Sequence, residues 1–248
     1  MKRVLIAILL AAVCQSADTD YKIYIVGKTA RFDKDNGKCL DMDGNLLSGK
    51  AKLQWVNQYD AADEVFCIDG EANEGRGYYD KHDRLQYITL YKNGKLEEER
   101  RYYHKSGALQ YITSYKNGKV EGAVKTFYEN GKLEAEIPYT NGDRDGIDKF
   151  YYESGKLKQE TAWKNGVIDG IGKSYYENGK LKQEDTWKNG AREGETKLFR
   201  RNGAISAVFT YKNDKAISGV CHKTNGKKRP LTKAELDNLN NGLEVNCD

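Results

Sequence analysis

A hydrophobic pattern with a period of 24 residues runs through most of this chain. Its first beat is an aromatic at Tyr79, Tyr103, Phe127, Tyr151, Tyr175 and Phe199. A branched aliphatic follows in the same phase at Leu85, Leu109, Leu133, Leu157, Leu181 and Ile205. A second aromatic falls at Tyr91, Tyr115, Tyr139, Trp163, Trp187 and Tyr211. Asn-Gly closes the units at 93–94, 117–118, 141–142, 165–166 and 189–190, and Asn213-Asp214 completes the series. Polar residues fill the gaps, so each unit reads as two short strands separated by turn residues, the signature of a β-hairpin. Six units in one phase predict an all-β repeat protein, an elongated antiparallel meander.

Two registers compete within a unit. A two-residue turn on Asn178-Gly179 pairs Tyr176 with Leu181 and sets Lys173 opposite Glu184, Lys149 opposite Glu160 and Lys125 opposite Glu136. A three-residue loop with Gly179 in the left-handed conformation pairs Tyr175 with Leu181. The second choice places Tyr175, Leu181 and Trp187 on one face, because side chains alternate along a strand. Exposed ion pairs contribute only about 0–1 kcal/mol, so the apolar set favours the three-residue register.

The pattern divides the chain into four parts: 1–17, 21–74, 75–214 and 215–248. The second carries weakened copies of the unit ("DKDNGKCL", "DGNLLSGKAKLQW") and is expected to cap the end strand, whose open edge would otherwise pair with other chains. The third holds the six hairpins. In the fourth, Thr232 and Glu235 fit a capping box, 233–240 reads as a short helix, and Gly242 fits its stop.

The first part is not expected to belong to the fold. Met1-Lys2-Arg3 precedes an unbroken apolar run from Val4 to Val13, then come small or uncharged residues, Asp18 and Asp20. This order is that of a secretory leader, cut after Ser16 or Ala17, and the run is too short to span a bilayer as a helix. Cys14 stands where a lipoprotein cysteine would, but Val13 occupies a position where such signals take Gly, Ala or Ser. An exported chain without a lipid is therefore expected. Cleavage leaves Cys39, Cys67, Cys221 and Cys247. An even number of cysteines in an oxidising compartment points to two disulfides. Three connectivities are open; the local pairs Cys39–Cys67 and Cys221–Cys247 are favoured because they flank the repeats.

Without its leader the chain has 39 basic residues against 37 acidic ones, counted from totals of 41 and 37. That balance, with the signs interspersed, gives no electrostatic reason to expect nucleic acid or an anionic membrane as partner. A hydrophobic fraction of 38% is low for a compact globule, yet 18 tyrosines are too many for a disordered chain. A thin fold with much surface reconciles the two.

Catalytic chemistry has little footing. Lys, Glu, Asn and Gly recur in every unit with structural reasons, and a single active site should break the period. His82 and His104 do break it, but neither accompanies a nucleophile motif. "DKDNG" (33–37) and "DMDGN" (41–45) suggest calcium loops but lack the full spacing and the distal Glu. No catalytic residue, cofactor or metal is expected.

A more useful departure is apolar. Ile88 and Ile112 stand where later units carry Glu136, Glu160 and Glu184. Tyr87 and Tyr111 stand where later units carry Ala135, Gln159, Gln183 and Ala207. The three-residue register places Tyr78, Ile88, Leu90, Tyr102 and Ile112 on one face and Tyr87 and Tyr111 on the other. Such patches are covered either by the 21–74 cap or by a protein partner, for which tyrosine is a favoured contact residue.

The unit "YYENGKLKQE…WKNGxxxG" resembles the MORN repeat variant (membrane occupation and recognition nexus) of bacterial proteins. It is also similar to YwqK-type proteins, often labelled antitoxins of toxin–antitoxin pairs. The resemblance covers residues 75–214 well and 30–74 loosely. It implies hairpin repeats and a binding or scaffolding role with no catalytic residues, and the antitoxin label implies a protein partner to be neutralised. An envelope-associated structural protein or adhesin is the other use of such a scaffold. Lipid binding is implied by the family's name alone, and the charge balance does not support it.

Overall fold

The computed structural model describes residues 22–25, 30–33, 38–56, 62–78, 84–91, 99–243 and 245–247. The expected leader and His82 lie outside the described residues. Two compact units divide the chain between Gly107 and Ala108, inside the stretch expected as repeats.

The first unit contains β1 (Lys22–Ile25), β2 (Arg31–Asp33), β3 (Lys38–Leu40), β4 (Lys50–Val56), β5 (Ala62–Ile68), β6 (Glu71–Tyr78), β7 (Leu85–Leu90) and β8 (Glu99–Tyr103). Strands β4 to β8 pair antiparallel in chain order. Strand β1 departs from the meander and joins β4 in parallel, which the long connection after it permits. Ala51 and Leu53 on β4 face Cys67 and Val65 on β5. Together with Ala30, Cys39, Leu47 and Ala72 they form a buried core, and Phe32 and Tyr91 pack against it. The Cys39–Cys67 disulfide ties β3 to this core.

The second unit is an up-and-down sheet. Its strands are β9 (Leu109–Lys116), β10 (Lys119–Val120), β11 (Gly122–Phe127), β12 (Leu133–Thr140), β13 (Asp143–Arg144), β14 (Gly146–Tyr151) and β15 (Leu157–Lys164). They continue as β16 (Val167–Tyr175), β17 (Leu181–Lys188), β18 (Ala191–Phe199), β19 (Ile205–Lys212), β20 (Lys215–His222) and β21 (Lys228–Pro230). Two turn types alternate. In the first, Tyr176 N–H donates to Lys180 O and Gly179 N–H to Tyr176 O, both at 2.8 Å, with Gly179 at φ 84. This is the expected three-residue loop. In the second, Asn189 and Gly190 both take positive φ, 51 and 85, as a type I′ turn requires.

Both competing registers are present. Tyr175 pairs with Leu181, as the three-residue loop demands. One step on, Ser174 pairs with Gln183 and Lys173 with Glu184, as the two-residue register demands. A bulge that skips Lys182 joins them, and the same shift recurs between Phe150 and Tyr151 and between Leu198 and Phe199. The bulge overturns the expectation that Tyr175 and Trp187 share a face. Tyr175 donates its hydroxyl to Glu160 Oε1 at 2.7 Å on the side of Lys173, whereas Trp187 lies over Gly172 on the other side.

The two faces of this sheet therefore differ. One carries an unbroken row of cross-strand partners: Ile112, Lys125, Glu136, Lys149, Glu160, Lys173, Glu184, Lys197 and Val208. Ion pairs close at Lys125–Glu136 (3.3 Å), Glu160–Lys173 (4.0 Å) and Glu184–Lys197 (3.5 Å). The other, the tryptophan face, buries Ala135, Asp148, Thr161, Thr196, Ala207 and Phe209. Successive hairpins are stapled at their tips. Tyr128, Tyr152 and Tyr176 donate their hydroxyls to the carbonyls of Tyr151, Tyr175 and Phe199 at 2.7, 2.6 and 2.7 Å. At the opposite ends Glu121, Asp169 and Glu193 accept from the backbone N–H of Asn141, Asn189 and Asn213.

Helix α1 (Lys233–Asn240) starts at Thr232 with the full capping box and is followed by Gly242 at φ 77. Its Leu236 and Leu239 pack with Val245 and Leu231 on a core of Ala207, Phe209, Tyr211, Ala216 and Cys221, and Cys221–Cys247 closes the end. Arg229 donates to both oxygens of Glu235, at 3.0 and 2.8 Å, and holds that carboxyl down at about 2 from its ordinary 4.5, with help from Thr232. A carboxylate with a lowered pKa stabilises fully above its unfolded value and loses that contribution as pH falls through its folded one. Amide-exchange protection of α1 should therefore be full above about pH 4.5 and decline between there and about pH 2. Glu235→Gln should flatten this decline; an unchanged profile would leave the disulfide and the leucines as the sole anchors.

Candidate functional site

The expected partner-binding residues fall in both units, and each unit is described by itself. In the first, Tyr87 and Tyr102 are cross-strand partners with ring centroids 5.6 Å apart. This corrects the expected grouping of Tyr102 with Ile88. The cause is the pairing of β7 with β8, which sets Tyr102 opposite Tyr87 and Arg101 opposite Ile88, so that even-numbered β8 residues share a face with odd-numbered β7 residues. Ile88 lies on the opposite face between Arg76 and Arg101. Tyr78 enters the ladder by its backbone, opposite Leu85, and its side chain lies outside the described residues. In the second unit Tyr111 pairs with Thr126 and Ile112 with Lys125, so they too occupy opposite faces of β9.

Tyr87 is the best-defined member of the set. Its ring lies directly over Gly77, where an added Cβ would sit 2.1 Å from Tyr87 Cε1. Burial pushes its hydroxyl up to about 12, aided by the charges of Asp63 and Tyr91 and opposed by Arg100. Arg100 donates from Nε to Thr89 Oγ1 at 3.1 Å and from Nη1 to the Tyr102 hydroxyl at 3.3 Å. Tyr91, over Gly75, makes an edge contact with Phe32 and so joins the buried core. The core thus covers the sheet as far as Tyr91, while Tyr87, Ile88, Tyr102, Tyr111 and Ile112 are half-buried.

The expected calcium loops divide. Residues 34–37 lie outside the described residues, whereas Asp41 Oδ1 accepts the N–H groups of Asp43 and Asn45 at 2.9 Å. These bonds, those from Asn45 first, hold its carboxyl below the ordinary value. Its acceptor capacity serves the turn. Among the described residues no group of three or more His, Cys, Asp or Glu is placed to hold a metal ion. His104 opens a turn by accepting from Gly107 N–H at 2.8 Å.

Sequence reasoning missed the tryptophan face of the second unit. There Arg144 lies over Trp163, 4.8 Å from its ring centre, and Arg192 lies between Trp187 and Tyr211 at 5.3 Å from each. Two pits open on it. One of about 240 Å³ is floored by Gly172, and one of about 460 Å³ lies between Leu198, Ala207 and the tail at Val245–Cys247. The available signal was a break in the period at residue 172, in phase with Asp148 and Thr196.

The MORN repeat variant family matches four stretches of the chain, 99–117, 120–141, 144–165 and 168–189. No curated protein matches it in sequence. Among solved structures, the TcdB2–TccC3–Cdc42 complex is 10% identical, covers 78% of this chain and 15% of its own, and has a TM-score of 0.15. The TcdB2–TccC3 complex is likewise 10% identical, covers 77% and 16%, and has a TM-score of 0.14. The chain thus spans a small part of those proteins, and scores of this size assign no fold.

Removing the room under Tyr87 tests how this site is built. Gly77→Ala should expel the ring, cost about 1–3 kcal/mol, and lower the Tyr87 pKa from about 12 toward 10. Thermal unfolding and an ultraviolet pH titration read both effects; an unaltered titration would show that the ring does not depend on Gly77.

Proposed function

We propose that the chain is a non-catalytic, exported repeat protein that binds a protein partner through apolar and tyrosine side chains of its N-terminal repeats. Four matched repeats and an all-β hairpin fold support a binding role. Two disulfides suit an oxidising compartment, and the leader-like N-terminus agrees with export. No helix among the described residues is long and apolar enough to cross a membrane.

One observation carries the reading. Ile112 heads a row that alternates Lys and Glu, directly opposite Lys125, at the position where Glu136, Glu160 and Glu184 stand in later repeats. Ile88 lies between Arg76 and Arg101 in the same phase. Glutamate would be paired at both places, so the fold has no electrostatic need for isoleucine. An apolar side chain held half-exposed among cations is what an interface requires and a solvated sheet does not. Antitoxin-like neutralisation and attachment within an envelope are two uses of this same surface. A neighbouring reading frame that is lethal without this protein marks the first, and co-fractionation with cell wall or outer membrane marks the second.

Ile88→Glu and Ile112→Glu are the test. Each should leave the melting temperature nearly unchanged, within about 0.5 kcal/mol as for ordinary surface changes. Each should weaken capture of the wild-type partner, in crosslinking of the secreted protein, by about tenfold or more. Equal recovery by folded variants would overturn the proposal. Unfolding or failed secretion would show that the isoleucines serve the fold.

A further inference from the structure

Successive repeats solve one packing problem differently. In the repeat of Trp163, the indole Nε1–H donates to Asp148 Oδ2 at 2.7 Å. Asp148 is 2% exposed, with Arg144 Nη1 3.8 Å away. Burial raises its pKa, opposed by the Trp163 hydrogen bond and the Arg144 charge. In the next repeat the residue in the Asp148 position is Gly172. A Cβ there would sit 3.4 Å from Trp187 Nε1 and 3.9 Å from Thr161 Cγ2, so the carboxylate is missing and its space is open. That space is the pit of about 240 Å³. Trp187 Nε1–H has no acceptor among the described residues.

The walls specify what could replace the missing side chain. Ile168 stands in the phase of Arg144, so the cation that faces Asp148 has no counterpart among the lining residues on this face. Asp185 stands in the phase of Thr161 and adds a negative charge. An acceptor for the indole N–H should therefore be neutral. A cationic ligand is also disfavoured, because Asp185 already accepts from Gln183 Nε2 at 2.7 Å and from Thr196 Oγ1 at 2.8 Å. Arg192, moreover, already lies over the Trp187 ring. Ser174 and Gln159 present further polar groups, and Gln159 is steadied by donating to Thr161 Oγ1 at 3.3 Å. Ile168 and the indole supply apolar wall. Lys173 also lines the pit, but its side chain stands in the charged row of the opposite face. The remaining wall of neutral hydroxyl and amide groups, one engaged carboxylate and an indole suits a ligand with several hydroxyls and an apolar C–H face. The volume is below the ~300–1,000 Å³ range of drug-sized sites, a scale for one ring.

We propose that the pit over Gly172 binds one residue of a neutral saccharide, a hydroxyl oxygen of which accepts the Trp187 indole N–H where Asp148 accepts that of Trp163. This site is independent of the isoleucine and tyrosine surface. The sugar could be free or belong to a polymer.

Indole resonances of the purified mature chain should be followed by ¹⁵N NMR, with Trp187 assigned from Trp187→Phe. Glucose, galactose, mannose, N-acetylglucosamine and their soluble oligosaccharides serve as free probes. Pull-down on insoluble peptidoglycan and on a high-mannose glycoprotein distinguishes a wall polymer from a protein-linked glycan. The Trp187 resonance should shift saturably with at least one probe while that of Trp163 stays fixed. Gly172→Asp, which restores the plug, and Gly172→Thr, the residue found at 196, should each weaken binding about tenfold or more. Two variants are used because the carboxylate introduced by Gly172→Asp would lie near Asp185, and melting curves establish that the one compared is folded. No shift with any sugar, or equal binding by a folded plugged variant, overturns the proposal. So does a response of Trp187 to acetate or methylammonium where sugars give none.

Discussion

A single-layer sheet has no interior, and this constraint governs the second unit between its first strands and its C-terminal end. Stability must come from contacts made within each face and from one hairpin to the next. The chain meets this with a small set of devices used again from repeat to repeat. Tyrosine hydroxyls staple the tips, acidic side chains receive the Asn N–H of the neighbouring turn, and a Lys–Glu row lines one face. Each bond is modest, about 0.5–1.5 kcal/mol for an ordinary hydrogen bond and about 0–1 for an exposed ion pair. Their sum grows because the period delivers them repeatedly.

Where the repeats stop, the chain changes strategy. Both units contain a conventional buried core, and each is closed by a disulfide that joins residues about one period apart in sequence, 28 and 26 positions. The C-terminal core covers the tryptophan face of the last hairpin with a short amphipathic helix. The N-terminal core covers Leu53 and Val65 and ends at Tyr91. Beyond it, the half-buried Tyr87 and Tyr102 are held in place by Gly77 and Arg100 rather than by a third layer.

The sequence made the period, both turn types, the capping box of α1 and the favoured cysteine pairs readable, because each depends on local chemistry. Asn189-Gly190 needs positive φ at two residues, and Thr232 with Glu235 needs three-residue spacing. The distribution of side chains between faces was not readable. Apolar alternation and charge pairing supported different registers, and choosing between them excluded the bulge that satisfies both. A single skipped residue such as Lys182 leaves no compositional mark, yet it separates Tyr175 from Trp187. Gly172 was overlooked for a related reason. Within one repeat it is an ordinary strand glycine, and it becomes informative only beside the Asp148–Trp163 bond of the preceding repeat.

The tyrosine staple also bears on how such a chain can grow. The repeats of Tyr152 and Tyr176 each supply a hydroxyl donor at one tip and receive one at a backbone carbonyl, and a carbonyl is present whatever the residue. A whole repeat duplicated in place would therefore arrive with its donor and acceptor already matched to both neighbours. An insertion one residue longer or shorter would break the staple, the acidic turn bond and the charged row together. Lengthening by complete units is open to this architecture, and gradual lengthening is closed to it.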